Sequence, residues 1–485
     1  MANSNGWGDG AANNAIGWGQ GANNTIGWGK SHSLSNAGLT DIVGFATDTD
    51  ANSFLSAAAI TSATQQAAID NLVKGLKTDG IWTKMKAIYP FATDNRNLSS
   101  YTEDYSNNAN WGRAVVTTTA NTIISPNGNL NASTATTTTN INNAIYNASP
   151  VATSTNQTFT NSIYLKYNNA KWVTLEIWRG DGQTGIRLWV DIQNGVLGTA
   201  NATIGSYTSS SITNVGNGWY RVSVTGIMPN ATAVYLALRH VDGDGAYNFT
   251  AVNGKSTYIW GAQSEVGTLT AYQPIATTQQ AYISNQFKYN LKDPRDLDAA
   301  FRLVFNGGWT HSSNGATPNG TNGYADTKFI PSTSFSSNNN SFGVYSRTDN
   351  VNGENFMGTS TATANRLFMY VKFTVLGASQ FNHNSQTFAS PLLLNSSGYF
   401  HSNRIAAGTH KVFVNGALNT TSVSNEQGLS TVPIFLSSSN LSGTASGFSN
   451  RQLAFVHFAD GLTDTEAANL YTRVQAFQTA LSRQV

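Results

Sequence analysis

Residues 171–195 read KWVTLEIWRGDGQTGIRLWVDIQNG. Apolar and polar side chains alternate along each half, and Gly, Asp, Gln and Thr fill the middle. A period of two places successive side chains on opposite faces of a pleated strand. A Gly/Asp-rich interval between two such runs is turn chemistry. The stretch therefore predicts short antiparallel strands. The alternation is imperfect at Trp172, Leu175 and Ile177, and Trp178 shifts the phase, which points to a bulge.

The same pattern extends outward in both directions. NSIYLKYN, GWYRVSVTGI, AVYLALRHV and STYIWGAQSEVG alternate in the same way, separated by Gly or Asn turns. From about residue 95 to 275 this spacing predicts an antiparallel β-sandwich. NASTATTTTNINNA, within it, reads as a low-complexity loop or edge strand. After a Gln/Thr-rich join near residues 277–280, FKYNLKDPRDLDAAFRLVF opens a second β region. RLFMYVKFTVLG, HKVFVNGAL and VPIFLSSSNL continue it, with a hairpin signal at Asn415–Gly416.

Two helices interrupt the strands. Ser62 and Gln65 have capping-box spacing, Ile69, Leu72, Val73 and Leu76 form an apolar stripe, and Gly80 supplies the stop. Thr463 and Glu466 repeat the capping spacing ahead of Leu470, Val474, Phe477 and Leu481. IWTKMKAIYPF, just after the first helix, reads as a buried strand or docking segment. The predicted fold class is mostly β: two antiparallel β-sandwich domains, a Gly/Trp-rich N-terminal arm and two short amphipathic helices.

Composition agrees with this. Only 11% of the 485 residues are charged, against roughly 25% in ordinary globular proteins, while aromatic residues reach 11%. Short strands joined by polar turns account for both. A net charge of +2 gives no electrostatic reason to expect nucleic acid or a membrane as partner. With no cysteine, no disulfide framework or thiolate metal site can form. No run approaches the length of a membrane helix. The first residues lack a basic segment followed by an apolar one. A protein assembled inside a cell and released by lysis is the expectation, rather than an exported adhesin.

The first 30 residues contain a near-repeat, GAANNAIGWGQGANNTIGWGK, preceded by a third Gly-Trp-Gly. Glycine leaves the backbone loose, whereas tryptophan favours burial. Trp7, Trp18 and Trp28 are thus anchoring candidates that bury when the arm meets a neighbour. The alternative is a folded set of tight turns with the rings packed on one another.

Several stretches carry a resemblance. NRQLAFVHFADGLTDTEAANLYTRVQAF, GTNGYADT and HKVFVNGAL resemble strands and the closing helix of concanavalin A-like, laminin-G-type sandwich domains. IWTKMKAIYPF and NLKDPRDLDAAFRLVFNGGWTHSSNGATPNGTNGYADT resemble virion proteins of tailed phages, including the crAss-like phages of Bacteroidetes. VGNGWYRVSVT and YIWGAQSEVGTLTAYQPI resemble the closing strands of a phage tail-fibre sandwich, a jelly roll of carbohydrate-binding-module type. The resemblance implies a discontinuous concanavalin A-like domain of residues 51–93 and 286–485, interrupted by an inserted sandwich at 95–280, behind an arm at 1–50. It implies a virion structural protein, a head- or tail-fibre subunit exposed on the particle surface. Its expected partners are other virion proteins and host-surface glycans, and its expected state is a homo-oligomer, a trimer. A purely architectural decoration protein and a capsule depolymerase are the competing readings.

Site chemistry is sparse. Strand-borne glycoside hydrolysis needs paired carboxylates across a groove, delivered as Glu–x–Asp–x–Glu. That pattern is absent: Glu176 stands alone, and Glu466 belongs to a helix cap. The expectation is therefore no catalytic residue and no enzymatic activity. None of the seven histidines has metal-ligand spacing. Asp242 and Asp244, in HVDGDGAYN, form either a polar turn or a calcium loop, and the turn is favoured because the EF-hand pattern is missing. No metal and no cofactor are expected. Trp172, Trp178, Trp189, Trp219 and Trp260 are rings that suit sugar C–H groups. Trp219 and Trp260 read as core, and Trp178 is the candidate glycan contact. Arg179–Gly180–Asp181 matches an integrin-type tripeptide and is read as a turn.

Overall fold

The computed structural model describes residues 48–147, 156–179, 184–229, 234–351 and 355–485. Trp7, Trp18, Trp28 and the Gly180–Asp181 pair lie outside them. The described chain is mostly β, with several antiparallel sheets and five helices, three more than the sequence predicts. It divides into two compact units: the described residues up to Asp94 together with Asn285–Val485, and Asn95–Ser284 between them.

In the Asn95–Ser284 unit two six-stranded antiparallel sheets enclose one core. The first sheet runs in the order Trp111–Ala114, Ala144–Asn147, Val234–Val241, Trp172–Arg179, Thr184–Asp191, Val196–Ala202. The second runs Ser206–Gly216, Trp219–Met228, Gln157–Tyr167, Ser256–Val266, Ala132–Thr137, Val116–Ile123. Val173, Leu175, Ile177, Ile186, Leu188 and Val190 from the first sheet meet Ile163, Leu165, Val222, Val224 and Ile259 from the second. Ala132–Thr137 pairs on both sides, so the Thr/Asn-rich stretch supplies an interior strand rather than an edge.

Strand Trp172–Arg179 keeps a strict period of two. Val173, Leu175 and Ile177 enter the core, leaving Trp172, Thr174, Glu176 and Trp178 on the opposite face. The expected bulge is real but sits in the pairing: the register with Thr184–Asp191 shifts between Ile177 and Trp178. The apparent change of phase arises because large apolar rings occupy the outer face.

In the other unit an eight-stranded and a nine-stranded sheet form the β layers. Helices Thr49–Ala57, Ala63–Thr78 and Asp464–Ala480 pack on the eight-stranded sheet, with Leu72, Leu76, Leu470, Val474 and Phe477 against Tyr345, Tyr399, Phe413 and Phe455. Its other face meets the nine-stranded sheet side, where Phe356 stacks on Phe400 at 5.8 Å. Strand Met85–Tyr89 is buried and pairs with Leu453–Ala459. Asn415 and Gly416 both take positive φ, 48° and 77°, as a type I′ hairpin turn requires. Gly80, at φ 71°, closes the helix Ala63–Thr78 in a Schellman motif: Ile81 N donates to Leu76 O and Gly80 N to Lys77 O. The capping box at Thr463 and Glu466 is formed. Ser62 occupies an N-cap position, but its side chain makes no capping bond.

Candidate functional site

The outer face of the sheet that carries Trp178 concentrates the unusual chemistry of the Asn95–Ser284 unit. Glu176 is paired in register with Arg187 on one side and Ala237 on the other. Its carboxylate is wholly buried. It accepts from Arg187 Nε at 2.9 Å, from Arg239 Nε at 3.3 Å and from Thr174 Oγ1 at 3.0 Å. One carboxylate thus neutralises one of two guanidiniums. Arg239 also donates to Asn142 Oδ1 and Asn143 O, at 2.5 and 2.7 Å.

Residues 242–251 cover this charged centre. Tyr247 lies with its ring centroid 3.5 Å from the Arg187 guanidinium, and Trp189 donates Nε1 to Ala246 O at 3.0 Å. Asp242 holds the base of the loop by accepting from Thr250 N, Thr250 Oγ1 and Ala251 N. Burial raises its carboxyl, but these bonds outweigh that and hold it below the ordinary value. Asp244 accepts from Thr199 N and Oγ1. Both aspartates therefore tether a loop, and no cluster of three acidic or histidine side chains suited to a metal occurs among the described residues.

Beyond the loop the face opens onto three half-buried rings. Trp178 meets Tyr146 edge-on at 5.3 Å and Tyr235 tilted at 5.7 Å, and the two tyrosines lie 5.9 Å apart. The Arg239 guanidinium lies 5.2 Å from the Trp178 ring. Gly112 is needed here: a Cβ at that position would stand 2.2 Å from the Tyr146 ring, so its absence lets the ring lie across the neighbouring strand. Trp178 was legible as a candidate from sequence. Its partners Tyr146, Tyr235 and Arg239 were not, because they depend on register and strand order. Trp219 and Trp260 are buried and pack with Tyr164 and Tyr272.

The six described histidines, His240, His311, His383, His401, His410 and His457, are all buried. Burial lowers each of them, His240 and His311 to about 4 and His401 and His410 to about 3. They are core side chains, with Ser402 Oγ bridging His383 Nδ1 and His410 Nε2 at 2.8 and 2.9 Å.

No protein-family profile and no curated protein matches the chain. Solved structures show weak likenesses. The enzymatically active domain of tailspike protein 4 from bacteriophage CBA120 matches 36% of this chain and 21% of its own length, at 12% identity and a TM-score of 0.23. The CBM22-1 xylan-binding domain from Paenibacillus barcinonensis Xyn10C matches 38% of this chain and 96% of its own, at 11% identity and 0.21. Trypanosoma rangeli sialidase matches 70% and 60%, at 12% and 0.29. Only about a fifth of the tailspike domain is spanned. One expectation is corrected here: an enzymatically active tailspike domain and a sialidase stand among the similar structures, so the exclusion of enzymatic activity does not hold. At such scores the likenesses assign no activity either. The fold and site themselves define a mostly β protein with antiparallel sheets and an aromatic, arginine-lined sheet face.

Proposed function

We propose that the chain is a tailed-phage virion appendage subunit whose Asn95–Ser284 unit holds host-surface glycans against Trp178, Tyr146 and Tyr235. The observation that carries this is the trio itself: three half-buried rings within 6 Å of one another at the open end of a sheet face. Sugar rings present C–H faces to aromatic planes, and a nearby fixed guanidinium supplies polar orientation. The phage assignment draws on the sequence resemblance of NGWYRVSVT and YIWGAQSE. In this reading residues 1–50 anchor the subunit, with Trp7, Trp18 and Trp28 entering pockets of other virion proteins. A homotrimer displays several glycan sites together, so weak single-site binding gains avidity.

The test is an array of host-surface polysaccharides probed with the full chain and with Trp178→Ala. The expected result is binding by the full chain, weakened about tenfold in the variant, or roughly 1.4 kcal/mol. Cooperative melting of the variant should persist, because Trp178 lies outside the core. Absence of signal on every host polysaccharide, or equal signal from both proteins, removes the proposal.

A further inference from the structure

The Asn95–Ser284 unit carries a second concavity that shares no residue with the Trp178 trio. It is a cleft of about 450 Å³ lined by Tyr101, Glu103, Asp104, Asn121, Asn131 and Pro274, among others. Its wall is built by an irregularity. Strand Val116–Ile123 pairs with Ala132–Thr137 from Val116 to Thr119, then resumes only at Ile123. Residues 120–122 bulge from the ladder, and Asn121 takes φ 55°. Tyr101, which also lines the cleft, takes φ 48°. A left-handed backbone is ordinary for Asn121 but uncommon for a bulky residue such as Tyr101, which the surrounding structure must hold in place.

The polar groups in the cleft are positioned rather than loose. Glu103 Oε2 accepts from Asn131 Nδ2 at 2.8 Å and Oε1 from Tyr272 OH at 3.2 Å. The Tyr272 hydroxyl is itself 2.7 Å from Thr102 Oγ1. Asp104 Oδ1 accepts from Ser106 N and Oγ, at 3.0 and 2.5 Å. Glu103 is half-buried, and burial raises its carboxyl above the ordinary value. Ala120, Pro274 and Ala276 supply the apolar part of the lining.

Charge narrows the ligand. Two carboxylates and no Lys, Arg or His line the cleft, so an anion is disfavoured. A metal is disfavoured too, because no three acidic or histidine side chains converge among the described residues. What fits is a molecule that donates hydroxyls to carboxylates and amide oxygens while laying C–H groups against the apolar part of the lining. We infer that this cleft is a second binding site, for a neutral pyranose unit of a glycan. The inference does not rest on the Trp178 site.

The experiment is ligand-observed saturation-transfer NMR on the full chain with glucose, galactose, mannose and xylose, each at high millimolar concentration. At least one sugar should receive transfer. That signal should fall at least fivefold in Glu103→Gln and in Ala120→Trp, which fills the cleft, and persist in Trp178→Ala. Should Glu103→Gln fail to melt cooperatively, Ala120→Trp decides alone. No transfer to any of the four sugars, transfer unaffected by the cleft variants, or loss confined to Trp178→Ala overturns the inference. Abolition of the signal by calcium chloride alone does so as well, by assigning the cleft to a cation.

Discussion

Glu176 carries more of the local structure than its isolation in sequence implies. A carboxylate with no solvent contact survives only because Arg187 and Arg239 both donate to it. Removing it leaves two largely buried guanidiniums without their counter-ion. Glu176→Gln should therefore destabilise the Asn95–Ser284 unit by about 3–5 kcal/mol, read as a lower denaturant midpoint with unchanged slope. A loss below about 1 kcal/mol would mean that solvent or the loop at 242–251 replaces the carboxylate. The alternation in KWVTLEIWRG already aligns Glu176 with Trp178 on one face. What the sequence could not disclose is the partner: pairing Glu176 with Arg187 needs the register, and recruiting Arg239 needs the order of strands.

Among the elements, the two capping signals look alike in sequence and differ in structure. Thr463 Oγ1 accepts from Glu466 N at 3.2 Å, and Glu466 Oε2 accepts from Thr463 N at 2.8 Å, with Lys84 Nζ 2.6 Å from the same carboxylate. Ser62 makes no such bond, and Gln66 rather than Gln65 turns inward to donate to Ile60 O at 3.1 Å. Gln65 holds the same N3 position after Ser62 that Glu466 holds after Thr463, so the difference lies in side-chain orientation and not in spacing. Thr463→Ala should cost about 1 kcal/mol, as lost caps typically do, and Ser62→Ala close to nothing. Paired thermal melts check this, and equal losses would remove the distinction. Strand positions, the Asn415–Gly416 turn and the Gly80 stop were legible because each rests on local chemistry. The interior placement of Ala132–Thr137 was not, since both its neighbours are distant in sequence.

At the scale of the whole molecule, the buried histidines are divided unequally between the two units. His311, His383, His401, His410 and His457 belong to the unit containing Asn285–Val485, and His240 alone belongs to Asn95–Ser284. Sequence spacing could say that they form no metal motif, but not that every described one is buried, because burial follows from sheet packing. Burial holds each folded-state value below 6.5, so the folded chain keeps these rings neutral where the unfolded chain protonates them. The unfolded state therefore binds more protons as pH falls from about 6.5 toward 4, and stability falls with it, by up to about 1.4 kcal/mol per pH unit for each histidine. Carboxylates held low by their partners lose their contribution from about pH 5 downward, so the histidines dominate the response between about pH 6.5 and pH 5. Glu103 acts in the opposite sense in the other unit: its folded-state value is raised, so its contribution to stability grows as pH falls. The unit with five histidines should accordingly be the acid-labile one. Calorimetry of the full chain at neutral pH and near pH 5 should show its transition moving down further than that of Asn95–Ser284, with proteolysis identifying which unit opens. His410→Gln should reduce that movement, since one proton fewer is taken up on unfolding. Equal shifts of the two transitions, or a larger shift of the Asn95–Ser284 unit, would show that proton uptake by these histidines does not govern the acid response.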